Sequence, residues 1–410
     1  MTPKTLVSGA LLLLAACASE PDLAACSGGE AQGGWQAGPA TTGSWLAVVG
    51  TDYQTTEVSV VDLDSMAVGS AAFLHSGSRV TCSGASLGGD VVLGRRPGGD
   101  GTFWLVDRGG GVLTQVGGPG VLRQLAVAKG FVANPQDVLI DDAGRLWLSR
   151  AQADTQAAAG AAQGDDVVQV NPDNGAILKR IALTAHATLA GARAWPGRMA
   201  LAGGHIHVPL ASVAEDFSAM GPGRMVRIDP EGGNVIGATE APQSKNCTAA
   251  VASAGVVAAV CSGFFKESEG KRAAWSNVIR LPDEATAIAQ VVTQAEDTGQ
   301  SRGFGFELAL ADDGRGWVIS DGDLQTGLSD ALWQFDLKGG TVVKVATASG
   351  AFAMTSLWLD RGRQRLWVTD RGAKGGDLLV FDVQGHGLAK HMGTVDSNPG
   401  GLRATEIGGF

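Results

Sequence analysis

One tyrosine stands in 410 residues, and aromatic residues make up only 6% of the chain. There is no run of basic residues, and the formal charge is −10. Such an acidic body is a poor partner for nucleic acid or for an anionic lipid surface. The chain has no Walker-type phosphate loop, no GxSxG nucleophile elbow and no paired CxxC metal knuckles, and nothing in it signals a Ser/His/Asp triad. Nucleotide hydrolysis and serine-hydrolase chemistry therefore have no signature here. What it has in abundance is glycine, 61 residues, beside an ordinary 44% of hydrophobic residues. That balance allows a large core, but one built from short strands and tight turns rather than long helices.

The first residues read MTPKTLVSGALLLLAACASE. Lys4 supplies a short basic start, and Leu6 to Ala16 form an apolar stretch too short to span a bilayer permanently. It ends in Leu14-Ala15-Ala16-Cys17, which resembles the bacterial lipobox. The resemblance implies cleavage before Cys17 and acylation of that residue, so that residues 1–16 are a lipoprotein signal peptide. Two or three acyl chains hold a protein on a membrane essentially permanently, at about 0.8 kcal/mol per buried methylene. Residue 18 is Ala rather than the Asp linked to inner-membrane retention, which makes the outer membrane the expected address, on its periplasmic side or at the cell surface. Loss of Lys4 alone moves the charge from −10 to −11. Residues 17–42 are small, polar and Gly-rich, and read as a flexible tether.

From residue 43 to 410 the chain is a procession of short alternating runs. In DVLIDDAGRLWLSR, Val138 and Ile140 alternate, Asp-Ala-Gly turns the chain, and Leu146 and Leu148 alternate again. A second hairpin follows, turned by Pro172-Asp173-Asn174-Gly175. The same four-strand plan returns in ELALADDGRGWVIS…DALWQFDLKGGTVVKV and in SLWLDRGRQRLWVTD…GDLLVFDVQGHGLAKHMG. Repeats of about 40–55 residues with four strands each are the mark of a β-propeller. Through the Asp-x-x-Gly-x-hydrophobic-Trp hairpin and the hairpin after it, the chain resembles YVTN/NHL-type propeller repeats. The predicted fold is thus all-β, with four-stranded antiparallel blades near 79–116, 136–182, 197–238, 247–292, 305–346 and 354–395. An incomplete blade lies at 44–73. Its missing innermost strand is expected from GGLRATEI, residues 400–407, which would close a seven-bladed ring and leave no long free edge.

Trp147, Trp317 and Trp367 occupy one point of the second strand, where alternation turns the side chain between neighbouring blades. They read as core rather than as a ligand platform. Function is better sought in the loops. Turns 142–144, 253–255, 312–314, 172–175, 230–233 and 338–340 are short. Links 151–165, 211–223, 263–275, 321–330, 117–135, 183–196 and 293–304 are long. In a propeller the two classes emerge on opposite faces, so one face is trimmed and the other elaborated, and the elaborated face is the expected site. Asn134, Asp137, Asn246, Glu307, Thr355 and Arg403 can point into the channel mouth there. No cofactor is called for, although carboxylates and amides around a channel could hold Ca²⁺. In residue types alone this resembles the metal site of gluconolactonase/regucalcin-type propellers. His205 and His207 share one side of a strand, a geometry usable by zinc, but without an evident third ligand. The expected function is therefore a binding or scaffold module for an envelope protein or surface polysaccharide, with no enzymatic activity signalled. A metal-dependent hydrolase of the lactonase kind, working in the channel, is the rival.

Cys17 aside, Cys26, Cys82, Cys247 and Cys261 form an even set in a chain read as exported. In CTAAVASAGVVAAVC a turn centred on Ala254 sets Cys247 and Cys261 opposite each other on one side of a hairpin. Opposed Cβ atoms are close enough for a disulfide. A Cys26–Cys82 bridge rests on parity alone.

Overall fold

The computed structural model describes residues 44–410, apart from 79–81, 95–100, 118–119, 158–162, 283–288, 293–294, 298–299 and 339–341. The lipobox, Cys17, Cys26 and the tether lie outside the described residues. Seven four-stranded antiparallel sheets follow one another around a ring. Blade 1 holds Trp45–Thr51, Thr56–Asp62 and Val68–His75. Blade 2 spans Val91 to Ala126, blade 3 Pro135 to Ala182 and blade 4 Ala200 to Ala241. Blade 5 spans Cys247 to Val292, blade 6 Phe304 to Thr347 and blade 7 Leu357 to Val395.

The last strand, Ala404–Gly409, is the innermost strand of blade 1. Val48 pairs with Ile407 and Val49 with Glu406 across the junction of the chain's two ends. A bulge at Thr405 shifts the register before Gly50 meets Ala404. The fit is close. A Cβ on Gly50 would lie 2.8 Å from the Leu402 carbonyl oxygen, and one on Gly409 2.1 Å from the Trp358 ring. The sequence places this closure correctly but begins the strand four residues early.

Burial follows from stacking sheet on sheet. The first three strands of a blade are covered on both faces, whereas outer strands such as Asn234–Ala241 alternate between exposed and half-buried residues. Each repeated tryptophan is fully buried and packs its own blade onto the next: Trp147 blade 3 onto 4, Trp317 blade 6 onto 7, Trp367 blade 7 onto 1. Trp104 does the same for blades 2 and 3. It faces Gln115 across the sheet as Trp147 faces Gln169 and Trp317 faces Gln334. The expected range of blade 2 was wrong. Its first strand starts at Val91, not near 79, and residues 82–90 carry no strand. Its fourth strand, Gly120–Ala126, lies in what reads as a long link. The supposed links 263–275 and 293–304 likewise carry a short helix, Glu269–Ala274, and a hairpin of Ala295–Asp297 with Gln300–Arg302.

Cys247 and Cys261 pair across the hairpin and form a disulfide. The route to that pairing differs from the expected one. The turn is Ala254–Gly255, both with positive φ, so the ladder runs Ser253↔Val256 to Ala249↔Val260. An extra residue, Thr248, then bulges out and restores the Cys247–Cys261 pair. Cys82 is disulfide-bonded as well, and Cys26, its candidate partner, lies outside the described residues. Disulfides of this kind fit an exported protein. Among the described residues no helix is long and apolar enough to cross a membrane.

Candidate functional site

Two cavities enter the ring along its axis from opposite ends. The one on the short-turn side, of about 580 Å³, is lined by the turn 202–204 and by Leu310 and Arg361. The other opens among the long loops, measures about 660 Å³ and is lined by Tyr53, Trp195, Phe265, Phe306, Phe352 and Arg371, among others. A cavity of that size is ordinary for a small-ligand site.

Arg198, Glu307 and Glu406 line both cavities and form the septum between them. Arg198 Nη1 donates to Glu307 Oε1 at 2.6 Å and to Glu406 Oε1 at 2.5 Å, with the three residues only 6%, 4% and 7% exposed. Local backbone explains the placement. The Arg198 N–H donates to the Thr248 carbonyl, and the Ala250 N–H to the Arg198 carbonyl, so this residue docks on blade 5. Gly197 permits the approach, since a Cβ there would sit 2.0 Å from the Thr248 oxygen. Asp137, wholly buried, accepts from the Met199 N–H at 2.8 Å and steadies the same segment. Burial works against the Arg198 charge, yet Glu307 and Glu406 outweigh it and raise the guanidinium pKa.

The rim is aromatic. Phe265 and Phe306 stack at 5.4 Å between centroids, with the Arg272 guanidinium 4.1 Å above the Phe265 ring. Trp195 meets Phe217 edge-on at 5.2 Å. Tyr53, Trp195, Phe217 and Phe352 all have positive φ, between 53° and 67°. Bulky side chains rarely adopt that conformation, and such strain gathers where a structure holds a side chain for use. The means of holding it are visible. In blades 3, 6 and 7 a buried aspartate just before the third strand clamps the link to the next blade. Asp165 accepts from the N–H groups of Ala194 and Trp195, Asp330 from those of Phe352 and Met354, and Asp377 from those of Ser397 and Ala404. Burial raises the Asp330 pKa. Burial likewise pushes Asp321 up to about 6, opposed by its partner Arg272 and assisted by Asp330.

The residues singled out from sequence fare unevenly. Asn246, Glu307 and Thr355 line the long-loop cavity. Asp137 lies beneath it and turns its carboxylate to the backbone of Met199. Asn134 accepts from Gln136 through Oδ1, and Arg403 pairs with Asp396 at 3.3 Å; neither is a lining residue. His207 is buried, and His205 pairs across the strand with Ala202. Among the described residues no three His, Cys, Asp or Glu side chains converge as a metal site. The residues missed are Arg198, Glu406, Arg108, Asp321, Arg371 and the aromatic rim. One signal could have found three of them. Arg108, Asp321 and Arg371 each stand four residues after a repeated tryptophan, and all three line the cavity.

No family model matches the chain, and no curated protein matches it in sequence. Among solved structures it is similar to a candidate 6-phosphogluconolactonase of Bacteroides fragilis, at 13% identity and a TM-score of 0.55, covering 92% of this chain and all of that one. It is also similar to the hydrazine synthase of Kuenenia stuttgartiensis, at 13% identity and 0.52, covering 71% and 76%. The Dos1 propeller matches at 10% identity and 0.50, covering 85% and 76%. Likeness at such identities carries the fold and no chemistry. Seven four-stranded sheets closed into a ring by the C-terminal strand make this chain a seven-bladed β-propeller.

Proposed function

We propose that this propeller is an exported binding module, lipid-anchored to the outer membrane through Cys17, which takes a ligand into the funnel on its long-loop face. One observation carries the reading: the funnel mouth presents aromatic rings in strained left-handed conformations, two of them clamped by buried aspartates. Strained backbone kept in place by dedicated contacts points to side chains positioned for use. The concave shape favours the end or a short stretch of a surface polymer over a folded protein, whose interface asks for roughly 1,000 Å² or more of matched surface. Catalysis by a channel metal is the less supported reading, because Glu307 and Glu406 are already engaged by the Arg198 guanidinium.

Binding of envelope polysaccharide fractions to the purified protein, followed through tryptophan fluorescence, tests the first part. Wild type is expected to bind and Tyr53→Ala/Phe352→Ala to bind more weakly; equal binding by both would remove the basis for the reading. For the anchor, Cys17→Ser is expected to abolish lipid labelling and release the protein from membranes. Full membrane retention of that variant would contradict lipidation.

A further inference from the structure

The funnel wall between blades 7 and 1 differs from the rest of the rim. The backbone N–H of Arg371 donates to the Ala353 carbonyl at 3.0 Å, next to Phe352. Its side-chain Nη2 donates to the Thr51 carbonyl at 3.2 Å, and Thr51 Oγ1 in turn accepts from the Tyr53 N–H at 2.9 Å. Arg371 is thereby tied to the segments that carry two exposed aromatic residues, Tyr53 at 69% and Phe352 at 52%, and all three line the cavity. Of the guanidinium's five donors, one is engaged by that carbonyl, and no carboxylate among the described residues pairs with it. The other cavity arginines differ in this respect: Arg198 is held by two glutamates, and Arg108 has Asp90 at 3.4 Å. The same cavity is lined by hydroxyls, with Thr355 Oγ1 donating to the Thr405 carbonyl and Thr405 Oγ1 to that of Val49.

We propose that this corner is a subsite for a carboxylate-bearing sugar ring, seated between Tyr53 and Phe352 with its carboxylate on Arg371. The inference rests on the funnel being a binding site and names the ligand class. A planar guanidinium fork matches a carboxylate bidentately. Exposed aromatic faces suit the apolar C–H face of a sugar ring, and threonine hydroxyls suit its rim of hydroxyl groups. The protein's overall charge of −10 would repel an acidic polymer, so attraction must come from this corner and not from a general basic surface.

The test titrates the full chain with short oligogalacturonates and, separately, with their methyl esters, by calorimetry. Acidic oligomers are expected to bind, with the neutral esters weaker by about tenfold or more, as loss of one charge-assisted contact implies. Arg371→Gln should lose the same factor while its thermal unfolding matches wild type, and Arg371→Lys should recover only part of it. Equal affinity for acid and ester, an unchanged Arg371→Gln, or preference for a peptide's free C-terminal carboxylate would each overturn the subsite. Should no acidic oligomer bind while Tyr53→Ala/Phe352→Ala still weakens polysaccharide binding, the ligand class falls and the binding reading stands. An effect of neither would remove both.

Discussion

Replacing Arg198 by Met removes the guanidinium that bridges Glu307 and Glu406 at the centre of the ring. The methionine approximates the arginine stem in volume, so the loss is of charge and hydrogen bonds rather than of packing. Both glutamates are nearly inaccessible to water. Breaking a buried ion pair from one side costs about 3–5 kcal/mol, because a charge is left in low dielectric without compensation. Arg198 bonds both carboxylates, but the Arg108 guanidinium also acts on both through space, so the lower part of that range is expected. Against a total stability of about 5–15 kcal/mol, that shifts the denaturation midpoint unmistakably. Urea unfolding at neutral pH measures it. A further arm separates electrostatics from shape. The triple variant Arg198→Met/Glu307→Gln/Glu406→Gln should regain most of the loss, because replacing the whole cluster by neutral groups is often nearly neutral. A cost below about 1 kcal/mol, or a triple variant no more stable than the single one, would refute the septum as an electrostatic unit.

Deleting residues 398–410 exposes the edge of Trp45–Thr51 and withdraws Ala404 and Ile407 from the cluster between blades 7 and 1, so aggregation or loss of cooperative unfolding is expected. A truncated chain that melts like the intact one would contradict closure by that strand. Cys247→Ala/Cys261→Ala opens a loop with a sequence separation of 14 and should cost roughly 3 kcal/mol on the chain-entropy account. Mass spectrometry of the non-reduced protein should find the two cysteines in one linked peptide, and free thiols at both would be decisive against it. Asp321, with its pKa raised from 3.8 to about 6 by burial, binds a proton more tightly folded than unfolded. Its contribution is therefore fully present below 3.8 and lost as pH rises through about 6. Relative to Asp321→Asn, wild type should weaken across that window in denaturation experiments, and a pH-independent difference would argue against the shift.

Much of the fold was legible because a propeller blade is a local object. Alternation, turn residues and the recurring tryptophan are read within a few dozen residues, and they yield seven blades and the closing strand. Blade 2 was misplaced where that local grammar thins: residues 82–90 carry no strand, and Gly120–Ala126 opens on the last residue of a Gly-Pro-Gly run that reads as a link. The cysteine pairing was reached with the wrong turn, because a two-residue turn and a bulge together reproduce the register of a turn centred on Ala254. The candidate site was far less legible. Glu307, Asn246 and Thr355 emerge from counting where inner strands begin, whereas Arg198, just before the strand Ala200–Ala202, carries no motif that singles it out.

Sequence alone determined the repeat, the strand order within a blade, the face carrying the long loops and the tryptophan seams between blades. All of these depend on neighbours in the chain. Tertiary structure alone decided the septum and the rim. Arg198 meets Glu307 across 109 residues and Glu406 across 208, and Arg371 finds Thr51 only because the last blade closes on the first. Periodicity records what each residue does within its own sheet. Which side chains face one another across the axis depends on how many blades close the ring and at what register, and no local pattern encodes that.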